Sequence, residues 1–200
     1  LEIDREILGE ILMKANGANY YWSRAVGRLV DKNTGVPVSL ASSLSPGPQF
    51  FGTHREWYET LVATIIDVAN TIHKKTLRGS ANFIITSPSV STILESSAFF
   101  RANIALDGNG QVSSPFKIGA ESIGTLSNRF TVYVDLYFPE NRALVGYKCG
   151  SYLETGYIYA PYVPLHITPT LYQLEDFFQR TRVMTRCGKQ LIRSEHYETR

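Results

Sequence analysis

The chain has 200 residues, 44% of them hydrophobic and 12% aromatic, with 20 basic and 18 acidic side chains and a net charge of +2. That is enough apolar material for one large or two small folded domains and unlike a disordered chain. The balanced charge argues against a dedicated nucleic-acid binder, no apolar run approaches the roughly 20 residues that span a bilayer, and no secretory signal pattern opens the chain.

Residues 1–15 pattern as an amphipathic helix. Leu1, Ile3, Ile7, Leu8, Ile11 and Leu12 share one broad face, with Glu2, Arg5, Glu6 and Glu10 opposite. Asn16-Gly17 is a stop signal. Neither an N-cap nor an initiator Met precedes the helix, the pattern of a fragment or a processed chain. Between 18 and 52 the signals are turns, at Asp31-Lys-Asn-Thr-Gly35 and Ser45-Pro-Gly-Pro48, and residues 28–30 and 36–40 are placed to pair as a hairpin. Thr53 and Glu56 have capping-box spacing and open the strongest helix pattern, over 53–77. Trp57, Leu61, Ile65, Val68 and Ile72 form its stripe, widened by Tyr58, Val62, Ile66 and Ala69. Lys74, Lys75 and Arg78 suit the negative end of the helix dipole, and Gly79 is its expected stop.

Residues 82–86, Asn-Phe-Ile-Ile-Thr, read as a short buried strand. Ser87-Pro88 is an N-cap with proline at the first helical position, opening a helix to about 97 with Val90, Ile93 and Leu94 inward. The polar, glycine-rich stretch 98–123 reads as a long loop. Residues 130–138 alternate as a strand, with Val132 and Val134 on one face and Tyr133 and Tyr137 on the other. Pro139-Glu-Asn141 turns it, and 142–148 is the expected antiparallel partner.

Residues 156–165, Gly-Tyr-Ile-Tyr-Ala-Pro-Tyr-Val-Pro-Leu, carry three tyrosines, two prolines and no charge. Each proline removes a ladder donor, so the segment reads as an extended, irregular strap, buried in the domain or set against another subunit. Tyr157, Tyr159 and Val163 share one parity, Ile158 and Ala160 the other; one set is expected to pack inward and the other to be partly covered by a neighbour. A helical or irregular piece at 171–178 leads into a last strand over 179–192. The sum is α+β, with neither a βαβ repeat nor an internal period.

No catalytic constellation emerges. His54, His73, His166 and His196 have no metal-ligand spacing, and Cys149 and Cys187 stand far apart, expected as buried reduced thiols of an intracellular protein. Ala120-Glu-Ser122-Ile-Gly124 lacks the first glycine of a nucleophile elbow. Gly108-Asn-Gly110 begins like a dinucleotide fingerprint, but Ser113 stands at the third glycine. Asp135 interrupts a buried-looking strand, a base by one reading and a solvent-side or interface carboxylate by the commoner one. No catalytic, cofactor or metal residue is assigned. Arg180, Arg182 and Arg186 are expected on one face of the last strand, either solvated, paired with acidic groups of a neighbouring chain, or holding phosphate.

Four blocks in order resemble the major capsid protein of large tailed phages of the T-even type. They are Leu1-Glu-Ile-Asp-Arg-Glu-Ile-Leu8; Arg78-Gly-Ser-Ala-Asn-Phe-Ile-Ile-Thr-Ser-Pro-Ser-Val90; Arg129-Phe-Thr-Val-Tyr-Val-Asp-Leu-Tyr137 with Leu144-Val-Gly-Tyr-Lys148; and Thr155-Gly-Tyr-Ile-Tyr-Ala-Pro-Tyr-Val-Pro-Leu165. Arg182-Val-Met-Thr-Arg186 fits that family's closing strand, whereas 18–50 match nothing in it. The resemblance implies the phage-capsid fold shared with herpesvirus capsid floors and encapsulins. On that fold, 51–170 would form the axial A-domain, with 1–50 and 171–200 in the peripheral P-domain. It also implies a structural virion protein, not an enzyme: a homo-oligomer whose hexamers and pentamers form an icosahedral shell, meeting decoration and scaffold proteins and contacting packaged double-stranded DNA only weakly. A vertex subunit or an encapsulin-type shell protein is the alternative. Expected subunit contacts are Tyr157, Tyr159, Tyr162, Arg180, Arg182 and Arg186, with Asp107 and Asn109 near the capsomer axis.

Overall fold

A computed structural model describes residues 2–17, 20–24, 28–35, 54–102, 121–172 and 178–199. In chain order the elements begin with α1 (Glu2–Lys14), β1 (Asn16–Gly17), β2 (Tyr20–Ser23), β3 (Arg28–Asp31), α2 (His54–Thr76), β4 (Phe83–Thr86) and α3 (Pro88–Glu95). There follow β5 (Phe100–Ala102), β6 (Glu121–Leu126), β7 (Phe130–Val134), β8 (Ala143–Gly146), β9 (Tyr157–Ile167), β10 (Leu171–Tyr172), β11 (Gln179–Arg180), β12 (Val183–Leu191) and β13 (Tyr197–Thr199). The class is α+β, as the sequence implies.

Seven strands form one mixed sheet in the order β1-β13-β8-β4-β7-β6-β5. Its centre is apolar on both sides because both sides are covered. Ile84, Val132, Ala143 and Val145 pack under α2 and α3, against Val62, Ile65, Val68, Ala69, Ile72 and Leu94. On the other face Phe83, Ile85, Leu144 and Tyr197 meet Ile7, Leu8, Ile11 and Leu12 of α1. Single-residue alternation along β4 and β8 therefore feeds two separate cores. Close packing within the sheet requires glycine: a Cβ on Gly146 would lie 2.4 Å from the Phe83 ring, and one on Gly124 only 2.2 Å from the Arg101 carbonyl oxygen.

Several local expectations change. Asn16-Gly17 ends α1 and then pairs in parallel with Glu198 and Thr199 at the sheet edge. β3 pairs with β2 upstream, Tyr20 opposite Asp31; residues 36–40, its expected partner, lie outside the described residues, as do the 45–48 turn and Thr53 of the capping box. The turn at 31–35 is present: Gly35 N–H donates to the Asp31 carbonyl at 2.9 Å and Asn33 N–H to its Oδ1 at 2.8 Å. α2 is closed by Leu77, at φ +53°, rather than by Gly79, whose missing side chain instead admits the Tyr147 ring. The expected loop over 98–123 contributes strands β5 and β6 at its ends. Ser127 and Asn128, at φ +52° and +54°, form the tight turn that joins β6 to β7.

The pairing of 130–138 with 142–148 is overturned. β4 inserts between them, parallel to β7 and antiparallel to β8. β7 also stops at Val134, because Asp135 is buried and turns the chain: its Oδ1 accepts from Tyr137 N–H at 3.0 Å, and its carbonyl from Phe138 N–H at 3.2 Å. Asp135 thus serves as a buried turn residue, not a solvent-side group. Most of the segment over 156–165 lies in an 11-residue strand, β9, antiparallel to β12. The ladder skips one extra β9 residue between Val163 and His166 and another between Pro161 and Val163, and these irregularities accommodate the prolines. At 171–178 the described residues form β10, paired with β11, where a helical or irregular piece was expected.

His196 is 1% exposed, edge-on to the Tyr147 ring at 5.6 Å between centroids, and no described group bonds its Nδ1. Burial first, then Arg193 and Arg78, hold its pKa below the ordinary histidine value of 6.5. The unfolded chain therefore takes up this proton first as pH falls, so the neutral imidazole's contribution is complete above about pH 6.5 and is lost below it. Thermal melting at pH 7.5 and 5.5 should show a fall in Tm at the lower pH, smaller in His196→Gln; equal falls would contradict this.

Candidate interaction surface

β9 and β12 form a two-stranded ribbon, separate from the main sheet. At its base the ribbon is anchored. Tyr157 and Leu191 pack into the α1 core, and the Tyr157 hydroxyl donates to Glu10 Oε2 at 2.9 Å. Burial, and then the Glu10 carboxylate beside it, push the Tyr157 phenol up to about 12. Lys14 first, then Tyr157, hold the Glu10 carboxyl below its ordinary value. Lys189 pairs with Glu6 of the same helix. Tyr157 is thus engaged within its own chain.

Beyond Tyr159 the ribbon is open on both sides. Tyr162 is 79% exposed, Leu165 68% and Ile167 61%, and opposite them Val183 and Met184 are also exposed. The hairpin continues through β10 and β11, joined to the ribbon by the Thr168 N–H, which donates to the Arg182 carbonyl at 2.8 Å. There Leu171, Tyr172 and Phe178 are likewise exposed. An isolated two-stranded ribbon is marginal in water, and large contiguous apolar patches on a surface mark sites of association.

The expected arginine row is interrupted. Arg180 closes β11, Arg182 lies between the strands with its backbone N–H on Thr168 Oγ1 at 2.9 Å, and Arg186 sits in β12 with its guanidinium 5.8 Å from the Tyr162 ring centroid. Asp107 and Asn109 lie outside the described residues. Tyr159, Tyr162 and Arg186 therefore share the ribbon. Leu165, Ile167, Tyr172, Phe178 and Val183 are exposed beside them and were not among the expected contacts, although apolar residues of both parities beside two prolines were a readable sign of a strand exposed on either face. Cys149, half-buried like Cys187, donates to Glu154 Oε2 at 2.9 Å. Among the described residues no cluster of histidine, cysteine or carboxylate could hold a metal.

The described residues thus form an α+β domain carrying an exposed apolar ribbon. The chain matches the family described as Major capsid protein Gp23 over residues 1–199, and it belongs to that family of viral structural proteins, which are not enzymes. It is 30% identical over 170 residues to the major capsid protein of Vibrio phage KVP40, covering 82% of this chain and 30% of that one. It is 32% identical over 133 residues to the major capsid protein of Serratia phage KSP90, covering 66% and 30%. To that of Enterobacteria phage T4 it is 33% identical over 112 residues, covering 55% and 21%. The chain thus spans less than a third of the length of these relatives. In fold it is similar to the crystal structure of a virus-like particle from Pyrococcus furiosus, with a TM-score of 0.44 and 10% identity over 76% of this chain and 54% of that one.

Proposed function

We propose that this chain is part of a subunit that self-assembles into capsomers of an icosahedral phage head enclosing double-stranded DNA, and that the β9–β12 ribbon is one of its subunit contacts. The observation that carries the reading is the ribbon: a long hairpin, anchored by Tyr157 and Leu191, whose outer apolar side chains have no core of their own. Burial against a neighbour supplies that core, and the contact recurs around a shell, so modest individual contacts add to a stable assembly.

On this reading residues 51–170 form the axial domain, and 1–50 and 171–200 the peripheral one. β1 and β13, from those flanking segments, form one edge of the main sheet and tie the two parts together. Hydrogen exchange on the full-length protein tests the contact. Amides of 159–167 and 183–187 should exchange more slowly in assembled shells than in free subunits, by about tenfold or more; unchanged exchange in intact shells would sink it.

A further inference from the structure

The residue that closes α2 breaks a local rule. Leu77 N–H donates to the His73 carbonyl at 2.9 Å, and Leu77 sits at φ +53°. This is the left-handed cap that glycine forms at least cost, because a Cβ there crowds the backbone. The other non-glycine residues with positive φ among those described are Ser127, Asn128 and Asn141, short polar residues in turns. Leucine is the strained choice, and the described residues offer its side chain little packing: it is 84% exposed. Nor does that side chain make the turn. Thr76 Oγ1 donates to the Ile72 carbonyl at 2.8 Å and reaches the Gly79 carbonyl at 3.3 Å, and Gly79 admits the Tyr147 ring. The surrounding structure would hold any residue at 77 left-handed.

Two more exposed aliphatics share this corner. Leu153, 77% exposed, lies in the single helical turn Tyr152–Glu154 between β8 and β9, and Ile192 follows β12. Each of the three stands immediately before a charged residue that ties these loops together. Arg78 pairs with Glu154 at 3.5 Å, and the Arg193 guanidinium donates to the Leu153 carbonyl at 3.0 Å. The Gly156 carbonyl accepts from Ile192 N–H at 2.9 Å and from Arg193 N–H at 3.1 Å. These bonds gather Leu77, Leu153 and Ile192 at the root of the ribbon, with Arg78, Glu154 and Arg193 beside them. Apolar side chains within a charged rim are the anatomy of a protein–protein contact.

The geometry points to Leu77 as the anchor of a further subunit contact, in which Leu77 and Leu153 of one copy are buried against an apolar surface of a second copy. Membership of a capsid-protein family makes a copy of the chain the partner. The inference rests on the assembly reading above but uses the root of the ribbon, not its exposed reach. Strain kept at a position where glycine would fold better marks a side chain retained for contact rather than for stability.

The test reads two quantities on the purified full-length protein: Tm of the free subunit, and the concentration needed for capsomer formation, by sedimentation. Leu77→Gly should raise Tm by about 2 °C, because the left-handed strain is relieved. It should also raise the assembly concentration by about tenfold or more, because the apolar burial is lost. Leu77→Asn, which also tolerates the left-handed region, should impair assembly similarly, and so excludes glycine's flexibility as the cause. Leu77→Met keeps an apolar side chain and should assemble within about twofold of wild type. Normal assembly of either Leu77→Gly or Leu77→Asn would overturn the proposal. So would a lower Tm in Leu77→Gly, which would place the side chain within its own subunit, or a Leu77→Met defect as large as that of Leu77→Gly. A defect seen only when other virion proteins are present would assign the corner to one of them and overturn it as well. The ribbon is tested separately by Leu165→Asp/Ile167→Asp. Normal assembly of that variant would fail the ribbon reading alone, whereas a wild-type protein that forms no capsomers would fail both.

Discussion

Replacing Leu165 and Ile167 by aspartate in the full-length chain is expected to leave the subunit folded and to abolish shell formation. Both side chains are mostly exposed in the free subunit, at 68% and 61%, so the cost to the fold itself should be within about 0.5 kcal/mol per site. In the assembled state the same positions would be buried. Each loses roughly 1.5–3 kcal/mol of apolar burial, and each new carboxylate must be desolvated or protonated. The penalty repeats at every copy of the contact, so a few kcal/mol per subunit shifts assembly by orders of magnitude. Electron microscopy and sedimentation of the variant provide the measurement. Shells of normal yield and stability would show that the ribbon faces solvent in the assembled protein. The control is Tyr157→Phe, which removes the bond to Glu10 and should lower subunit stability by about 1 kcal/mol while permitting assembly.

The parts of this fold that were legible in the sequence are those fixed by short-range chemistry. The stripe of α2 is found where period 3.6 puts it, with Ile65, Val68, Ala69 and Ile72 buried. Pro88 opens α3, and the Phe-Ile-Ile run forms a central strand. The expectations that failed concern partners distant in sequence. β7 pairs with β4, Phe83 opposite Thr131, rather than with its nearest downstream neighbour, because hydrophobic alternation fixes which face of a strand is buried but not which strand lies beside it. β13 was invisible for the same reason: Tyr197-Glu-Thr199 is too short to announce a strand, and it is held by β8 and β1. The ribbon was misjudged in the other direction. Pro161 and Pro164 would break a central strand, but a two-stranded ribbon has a free edge on each side, and ladder irregularities leave room for residues that cannot donate. Those two prolines and Tyr162 between them lie on the exposed part of the ribbon, while its extent through Phe178 and Val183 depends on pairing that no local pattern specifies.

That division also bears on assembly. Residues whose role is settled inside one chain, such as Tyr157, combine an apolar contact with a specific bond, here to Glu10. Tyr162, Leu165 and Ile167, further along the same strand, are mostly exposed. The transition along β9, from half-buried at Tyr157 and Ile158 to exposed from Tyr159 onward except at half-buried Val163, marks where the subunit's own core ends. From that point the physical chemistry requires a second chain or accepts a large wetted apolar surface.

Phe130→Ala is the substitution expected to cost the fold most. Phe130 is fully buried and sits where β7 begins, opposite Leu126 across the Ser127–Asn128 turn, in the core that joins the sheet to α2 and α3. Its removal leaves a cavity among Leu94, Leu126 and Val132, each 0% exposed, and Arg129 loses the ring that lies 5.3 Å from its guanidinium. Large-to-small changes at such sites cost about 3–5 kcal/mol, a major share of the roughly 5–15 kcal/mol that stabilises a domain. The next residue supplies the comparison. Thr131 points to the opposite face of the sheet and is half-buried, so Thr131→Ala should cost less than about 1 kcal/mol. Urea unfolding of the two variants in the full-length chain measures the difference through the midpoint at constant slope. A Phe130→Ala cost no greater than that of Thr131→Ala would mean that the helical layer does not close over this end of the sheet. The expected ordering would instead establish that the two faces of β7 differ as the structure shows, the Phe130 face sealed by α2 and α3 and the Thr131 face outside that core.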